Sequence, residues 1–270
     1  MALRPAQANR PYHGTSRKFA TARAVSALTL REMATTYGRS PGGYVWAILE
    51  PLGAILLLGV GMSLLIRVPP LGNSFLLFFA SGLLPFAMYT QLSNNIGRAI
   101  NFSRALLFYP AVTWVDAILA RFVVVVLTNV MVMIILFTGL IISTDTRAII
   151  DFGPMVEAVA LMAFLGLGIG VLNCVLFGLF DVWQHVWSIA NRPLFLASGL
   201  LFLYEDMPGP LQDILWYNPL LHIIGIMRSG FYSNYDATYA SPSFVIAVSG
   251  VCLFLGVILL GRYHRVILNR

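Results

Sequence analysis

Residues 122–142 read FVVVVLTNVMVMIILFTGLII, a run without a single charged side chain. At 1.5 Å per helical residue it extends about 31 Å, enough to cross the ~30 Å hydrocarbon core of a bilayer. Comparable runs lie on either side, at residues 44–66, 75–96, 155–178, 186–204 and 243–262. Composition agrees: of 270 residues 59% are hydrophobic and 10% charged, and mean hydropathy is +0.82. A soluble domain carries about 25% charged residues, so no separate soluble domain is expected. The predicted fold is all-α integral membrane, with a cytoplasmic N-terminal segment over residues 1–43 and a six-span transmembrane domain over residues 44–270.

The charges exclude several functions. Lys18 is the one lysine among 17 basic residues. A phosphate-cradling P-loop needs Gly before its Lys and Ser or Thr after it, whereas Lys18 stands between Arg17 and Phe19. ATP hydrolysis by a Walker motif of this chain is therefore excluded. The net charge of +6 does not signal nucleic acid, because the arginines border the apolar runs, where they orient spans. Cys174 and Cys252 fall inside apolar runs and read as packing residues. His13, His185, His222 and His264 are scattered, and no two have the i, i+4 spacing of a helical zinc site, so no metal site is predicted. Catalytic residues are not predicted either. Asp181 and His185 share helical spacing, but they lie in a short link, and a lipid-modifying enzyme would need a convergent set.

Before the first span the chain holds Arg4, Arg10, Arg17, Lys18, Arg23, Arg31 and Arg39 against one acid, Glu32. A signal peptide would place its apolar core sooner, so no cleavable leader is expected. At 100° per residue Phe19, Ala22, Leu30, Met33 and Tyr37 share one arc, while Val25 and Leu28 fall off it. The pattern predicts a moderately amphipathic helix over residues 17–37 lying in the membrane interface, with a solvated helix as the alternative. Six spans put both ends on one side. The N-terminal segment, Arg98 and Arg104 after span two, and Arg262, Arg265 and Arg270 at the end then share that side, against Arg67, Arg147 and Arg228 on the other. By the positive-inside rule both termini are cytoplasmic.

Residues 205–232 hold two apolar stretches divided at Asn218-Pro219. Each is too short to cross, which predicts a re-entrant pair beside a pathway or an amphipathic hairpin on the outer surface. Glu50, before Pro51 in span one, and Arg192, before Pro193 in span five, are costly charges at membrane depth. Each either lines a pathway or snorkels as part of an interfacial pair. Span five is expected to break at Asn191-Arg192-Pro193. Gly166, Gly168 and Gly170 read as helix-packing residues. Tyr44, Trp46, Trp183, Trp187, Trp216 and Tyr217 read as interface aromatics, with stacking on sugar rings as the alternative.

Several short motifs occur in a specific order: Leu30-Arg31-Glu32-Met33, Tyr37-Gly38-Arg39-Ser40, Gly43-Tyr44-Val45-Trp46-Ala47, Leu49-Glu50-Pro51, Pro69-Pro70-Leu71-Gly72 and Gly82-Leu83-Leu84-Pro85-Phe86. Arg104-Ala105-Leu106-Leu107, Arg192-Pro193-Leu194-Phe195, Ser198-Gly199, Trp216-Tyr217-Asn218-Pro219-Leu220-Leu221-His222 and Arg228-Ser229-Gly230-Phe231 follow. From about residue 20 to 265 the chain resembles permease subunits of bacterial capsular-polysaccharide ABC exporters.

The resemblance implies a non-enzymatic transport subunit of the bacterial inner membrane that exports a lipid-linked glycan from cytoplasm to periplasm. It implies a homodimer joined by two copies of a cytoplasmic ABC ATPase, which would hold the ATP and Mg; no cofactor is expected on this chain. Periplasmic and outer-membrane polysaccharide export proteins are the further partners implied, and no nucleic acid. Carried over, coupling to the ATPase falls to Arg31, Glu32, Tyr37, Arg39, Arg98 and Arg104, although Thr35-Thr36 stand where more charge is usual. The periplasmic gate falls to Trp216, Tyr217, Asn218 and Pro219. Trp46, Glu50, Arg67 and Arg192 are candidates for the translocation path. The alternative within transport is an ABC permease for a lipid or small hydrophobic compound.

Overall fold

The computed structural model describes residues 20–36, 42–108, 112–144 and 150–270. Among them every regular element is a helix. In chain order these are α1 (Ala20–Thr36), α2 (Gly43–Leu65), α3 (Phe75–Gly97), α4 (Ala99–Leu107), α5 (Trp114–Ser143), α6 (Phe152–Leu179), α7 (Trp183–Ala197), α8 (Gly209–Leu215), α9 (Pro219–Phe231) and α10 (Pro242–Asn269), with one 3₁₀ turn at Tyr204–Asp206. Five segments are long and apolar enough to cross a membrane: α2, α3 continuing into α4, α5, α6 and α10.

Helix starts follow local hydrogen-bond chemistry. Ser74, Asp151 and Ser241 each place a side-chain oxygen on an otherwise unpaired first-turn N–H, at the heads of α3, α6 and α10. At α5 a reciprocal box forms: Thr113 Oγ1 accepts from Asp116 N at 3.3 Å, and Asp116 Oδ2 accepts from Thr113 N at 2.8 Å. This box lets α5 begin well before its apolar run. Asp116 and Arg121 therefore sit on the first two turns of the same helix that carries the 122–142 run.

α6 is the central helix, packed by α3, α9 and α10. Its small residues allow this. A Cβ at Gly168 would meet the Ser249 carbonyl oxygen of α10 at 2.5 Å, and one at Gly166 or Gly170 would meet Leu92 or Ile96 of α3 at 2.7 and 2.8 Å. The three glycines thus bring two neighbouring backbones against α6 on different faces, as the packing reading expects.

Two stretches differ from expectation. α7 runs straight through Asn191-Arg192-Pro193 and ends at Ala197; the break comes at Ser198-Gly199, where Gly199 adopts φ +74°. That left-handed conformation suits glycine. α7 spans only about 22 Å, it buries no residue, and the chain beyond it is non-helical to Leu203. α9 is the converse case. Too short to cross, it nevertheless lies among α3, α6 and α10 with nearly every residue from Leu220 to Phe231 buried, so a hairpin resting on the outer surface does not describe it.

Candidate functional site

At one end of the bundle, three elements meet on a single cation. Arg121, on the second turn of α5, pairs through Nε with Glu32 Oε1 of α1 at 2.6 Å, and the two side chains are 7% and 12% exposed. Its Nη1 donates to the Asn95 carbonyl of α3 at 2.8 Å, and its guanidinium lies 4.0 Å above the Phe102 ring of α4. A guanidinium suits this place because its fork can serve a carboxylate, a carbonyl and an aromatic face at once. Burial pushes the Glu32 carboxyl above its ordinary range, against the pull of Arg121 and then of Arg31. Displacement of α1 or α4 therefore strains a desolvated pair anchored in a span.

A second arginine governs the other end. Arg228 of α9 is 2% exposed and donates from Nη2 to Leu200 O at 3.1 Å and from Nη1 to Phe202 O at 3.2 Å, with Phe78 of α3 packed 4.1 Å beneath it. These carbonyls belong to the non-helical stretch after α7, so the arginine supplies the donors that a helix would have supplied. Asn218 acts on the same stretch, donating from Nδ2 to Ala197 O at 3.1 Å and to Ser198 Oγ at 3.3 Å, while its Oδ1 accepts from Leu220 N at the head of α9. His222 donates from Nε2 to Trp216 O at 2.7 Å and accepts at Nδ1 from Ser241 N at 3.2 Å. That pattern fits only the neutral imidazole protonated on Nε2, and burial accordingly pushes its pKa down. The Trp216 ring packs against two neighbours, tilted to Phe244 at 5.0 Å and edge to face with His222 at 5.3 Å.

A bundle with a cation-centred junction at one end and a clamped, broken helix at the other can be set against known proteins. Residues 23–232 match the model of the ABC-2 type transporter. The chain belongs to the ABC-2 type transporter family. Its curated relatives include the polysialic acid transport protein KpsM of Escherichia coli, 32% identical over 236 residues, covering 87% of this chain and 91% of that protein. The capsule polysaccharide export inner-membrane protein BexB of Haemophilus influenzae is 28% identical over 245 residues (90% and 92%). CtrC of Neisseria meningitidis serogroup A, which carries the same description, is 26% identical over 247 residues (90% and 92%).

Within this ABC-2 chain the residues singled out from sequence are distributed as follows. Of the coupling set, Glu32 is in the junction, while Arg31 is exposed on α1, Arg98 is exposed at the α3–α4 corner and Arg104 is exposed on the last turn of α4. Tyr37 and Arg39 lie outside the described residues. Of the path set, Trp46 and Glu50 are exposed on α2, Arg67 in the turn after it and Arg192 on α7; the structure does not bring these four together. The gate set is contiguous. Trp216, Asn218 and Pro219 are half-buried at the α8–α9 corner, and Tyr217 is exposed beside them.

Sequence reading missed the two arginines that organise both ends. Arg121 stands just before the uncharged 122–142 run and drew no role there, and Arg228 was counted with the cations of the outer side. The available signal for Arg228 was its place at the end of an apolar stretch, Leu220-Leu221-His222-Ile223-Ile224-Gly225-Ile226-Met227, too hydrophobic for a solvated loop.

Proposed function

We propose that this chain is the permease subunit of an ATP-driven exporter that moves a capsular, lipid-linked polysaccharide from the cytoplasm to the periplasm across a bacterial inner membrane. It works as a homodimer with two copies of a cytoplasmic ABC ATPase, which binds the ATP and Mg, and passes polymer to periplasmic and outer-membrane export proteins. Both termini face the cytoplasm. α1 lies in the inner membrane interface, α7 together with the stretch after it makes the fifth of six crossings, and α8 and α9 enter from the periplasm as a re-entrant gate around Trp216, Tyr217, Asn218 and Pro219.

The observation that carries this reading is the junction at Arg121. It ties the N-terminal helix and the α3–α4 corner, the surfaces exposed to a cytoplasmic partner, to a membrane-crossing helix through Glu32, Asn95 and Phe102. ATP-driven closure of the partner pushes on Arg31, Tyr37, Arg39, Arg98 and Arg104, and the junction passes that push to α5. The similarity to proteins named for polysialic acid transport and capsule polysaccharide export, over about nine-tenths of their lengths, supports the substrate class.

The unpartnered faces support the dimer. α2 buries only Ile55 and Gly59, α7 buries nothing, and Glu50 and Arg192 are exposed on them. A carboxylate turned toward lipid costs several kcal/mol, so these faces meet a second copy or a wet path lined by Trp46, Glu50, Arg67 and Arg192. In inside-out vesicles carrying both subunits, Arg39→Glu with Arg104→Glu is expected to abolish ATP-dependent uptake of polymer; undiminished uptake would remove the coupling assignment.

One observation favours a second reading, an ABC permease for a lipid or small hydrophobic compound. Met133 and Phe137 of α5, Met155 and Val159 of α6 and Met227 of α9 line an apolar cavity of about 500 Å³, within the ~300–1,000 Å³ of small-molecule sites. Stimulation of the partner ATPase by glycolipid but not by free hydrophobic compounds separates the two readings.

A further inference from the structure

α10 is 28 residues long, about 42 Å against a ~30 Å hydrocarbon core, so its last turns stand outside the membrane. They are folded onto the body of the protein. Ile267 is buried against Gly178 of α6, Arg270 Nη1 donates to Leu179 O at 2.5 Å, and the His264 ring lies 6.3 Å from that of Trp114 at the head of α5. Between this end, α4 and the start of α5 lies a recess of about 340 Å³.

Its floor is apolar, formed by Ile100, Leu107, Trp114 and Leu268, and His264 and Arg265 stand in its wall. Arg265 is exposed, as are Arg104 on the last turn of α4 and Arg262 one turn back on α10. None of these three arginines forms an ion pair with an acid among the described residues. Two acids of this end are turned to other partners: Glu32 to Arg121, and Asp116 through one carboxylate oxygen to Thr113. An apolar hollow with an uncompensated cationic rim is complementary to an apolar side chain flanked by carboxylates.

We propose that this recess is a docking socket for the cytoplasmic ATPase, receiving an apolar knob with acidic neighbours, and that the end of α10 is thereby part of the coupling surface alongside α1 and the α3–α4 corner. The proposal rests on the reading that such an ATPase serves this chain. Because the socket joins α4 to α10, an ATPase seated in it grips the last crossing as well as α5, so one closure moves both.

The test uses the full-length chain in nanodiscs and the purified Walker-motif ATPase co-expressed with it, with the dissociation constant read by interferometry. Arg265→Glu and Leu268→Glu are each expected to weaken binding about tenfold or more, Arg265→Lys to stay within about twofold, and the Arg265→Glu loss to be recovered by reversing the facing acid of the ATPase. Melting temperatures matching wild type show that the fold survives. If the wild-type chain does not bind the ATPase, the parent reading fails. If it binds and Arg265→Glu and Leu268→Glu bind equally well, the socket fails while the parent reading stands. A loss seen only in nanodiscs with anionic lipid assigns the recess to lipid headgroups and overturns the proposal.

Discussion

Both ends of the bundle turn on a buried arginine, and they satisfy it in opposite ways. At the junction Arg121 has a carboxylate mate on another helix, near the surface, with the Phe102 ring over its guanidinium. At the clamp Arg228 lies deeper and is held by two backbone carbonyls and a ring. A pair between side chains on separate helices can be altered by moving one helix, whereas carbonyls of a broken helix cannot be left without donors at membrane depth. Of the two, the junction is the contact that a helix shift can alter and the clamp the one its carbonyls hold in place.

The largest effect should come from the clamp. Arg228→Met strands the Leu200 and Phe202 carbonyls and should cost about 3–5 kcal/mol, seen as a large drop in melting temperature in detergent. A neutral result would show that the stretch after α7 is held by something else. Breaking the junction should cost less because it is closer to water: Glu32→Gln about 2 kcal/mol, with an Arg121→Met double-mutant cycle returning a coupling energy of at least ~1 kcal/mol. A coupling near zero would mean that the close approach carries no energy.

The sequence reading located long elements well and tertiary ones poorly. Spans such as residues 44–66 and 75–96 agree with α2 and α3 to within a residue or two, because run length and apolarity are local properties. The division at Asn218-Pro219 was equally legible, since Asn caps and Pro starts a helix by local chemistry. Arg228 was not, because its burial depends on α3 wrapping Phe78 beneath it and on carbonyls 28 residues away. Span five misled for a related reason. Proline marked the break, yet α7 tolerates Pro193 on an exposed face, and glycine two residues beyond its end makes the turn.

Smaller effects sharpen the comparison within the clamp. Asn218→Ala removes both the α9 cap and the tie to Ala197 and should cost about 1–2 kcal/mol, measurable as earlier melting; Asn218→Asp should keep the cap and lose the tie. His222 adds a pH dependence. Its folded pKa lies below the ordinary value near 6.5, so its contribution is complete above that pH. It is lost as pH falls from there through the lower folded value. The protection factor of the Ser241 amide, which donates to His222 Nδ1, should fall as pH drops below about 6.5 through the lower folded value, and His222→Gln should flatten that fall.

The central claim is that α1 transmits force from an ATPase through Glu32 and Arg121 to move polymer. Its direct measurement is ATP-driven translocation of a capsular glycolipid in proteoliposomes holding this chain and its ATPase, with hydrolysis followed in parallel. The account predicts that wild type moves polymer only with ATP and Mg, and that Glu32→Gln hydrolyses ATP but translocates at a tenth of the rate or less. Translocation at the wild-type rate by Glu32→Gln would contradict it.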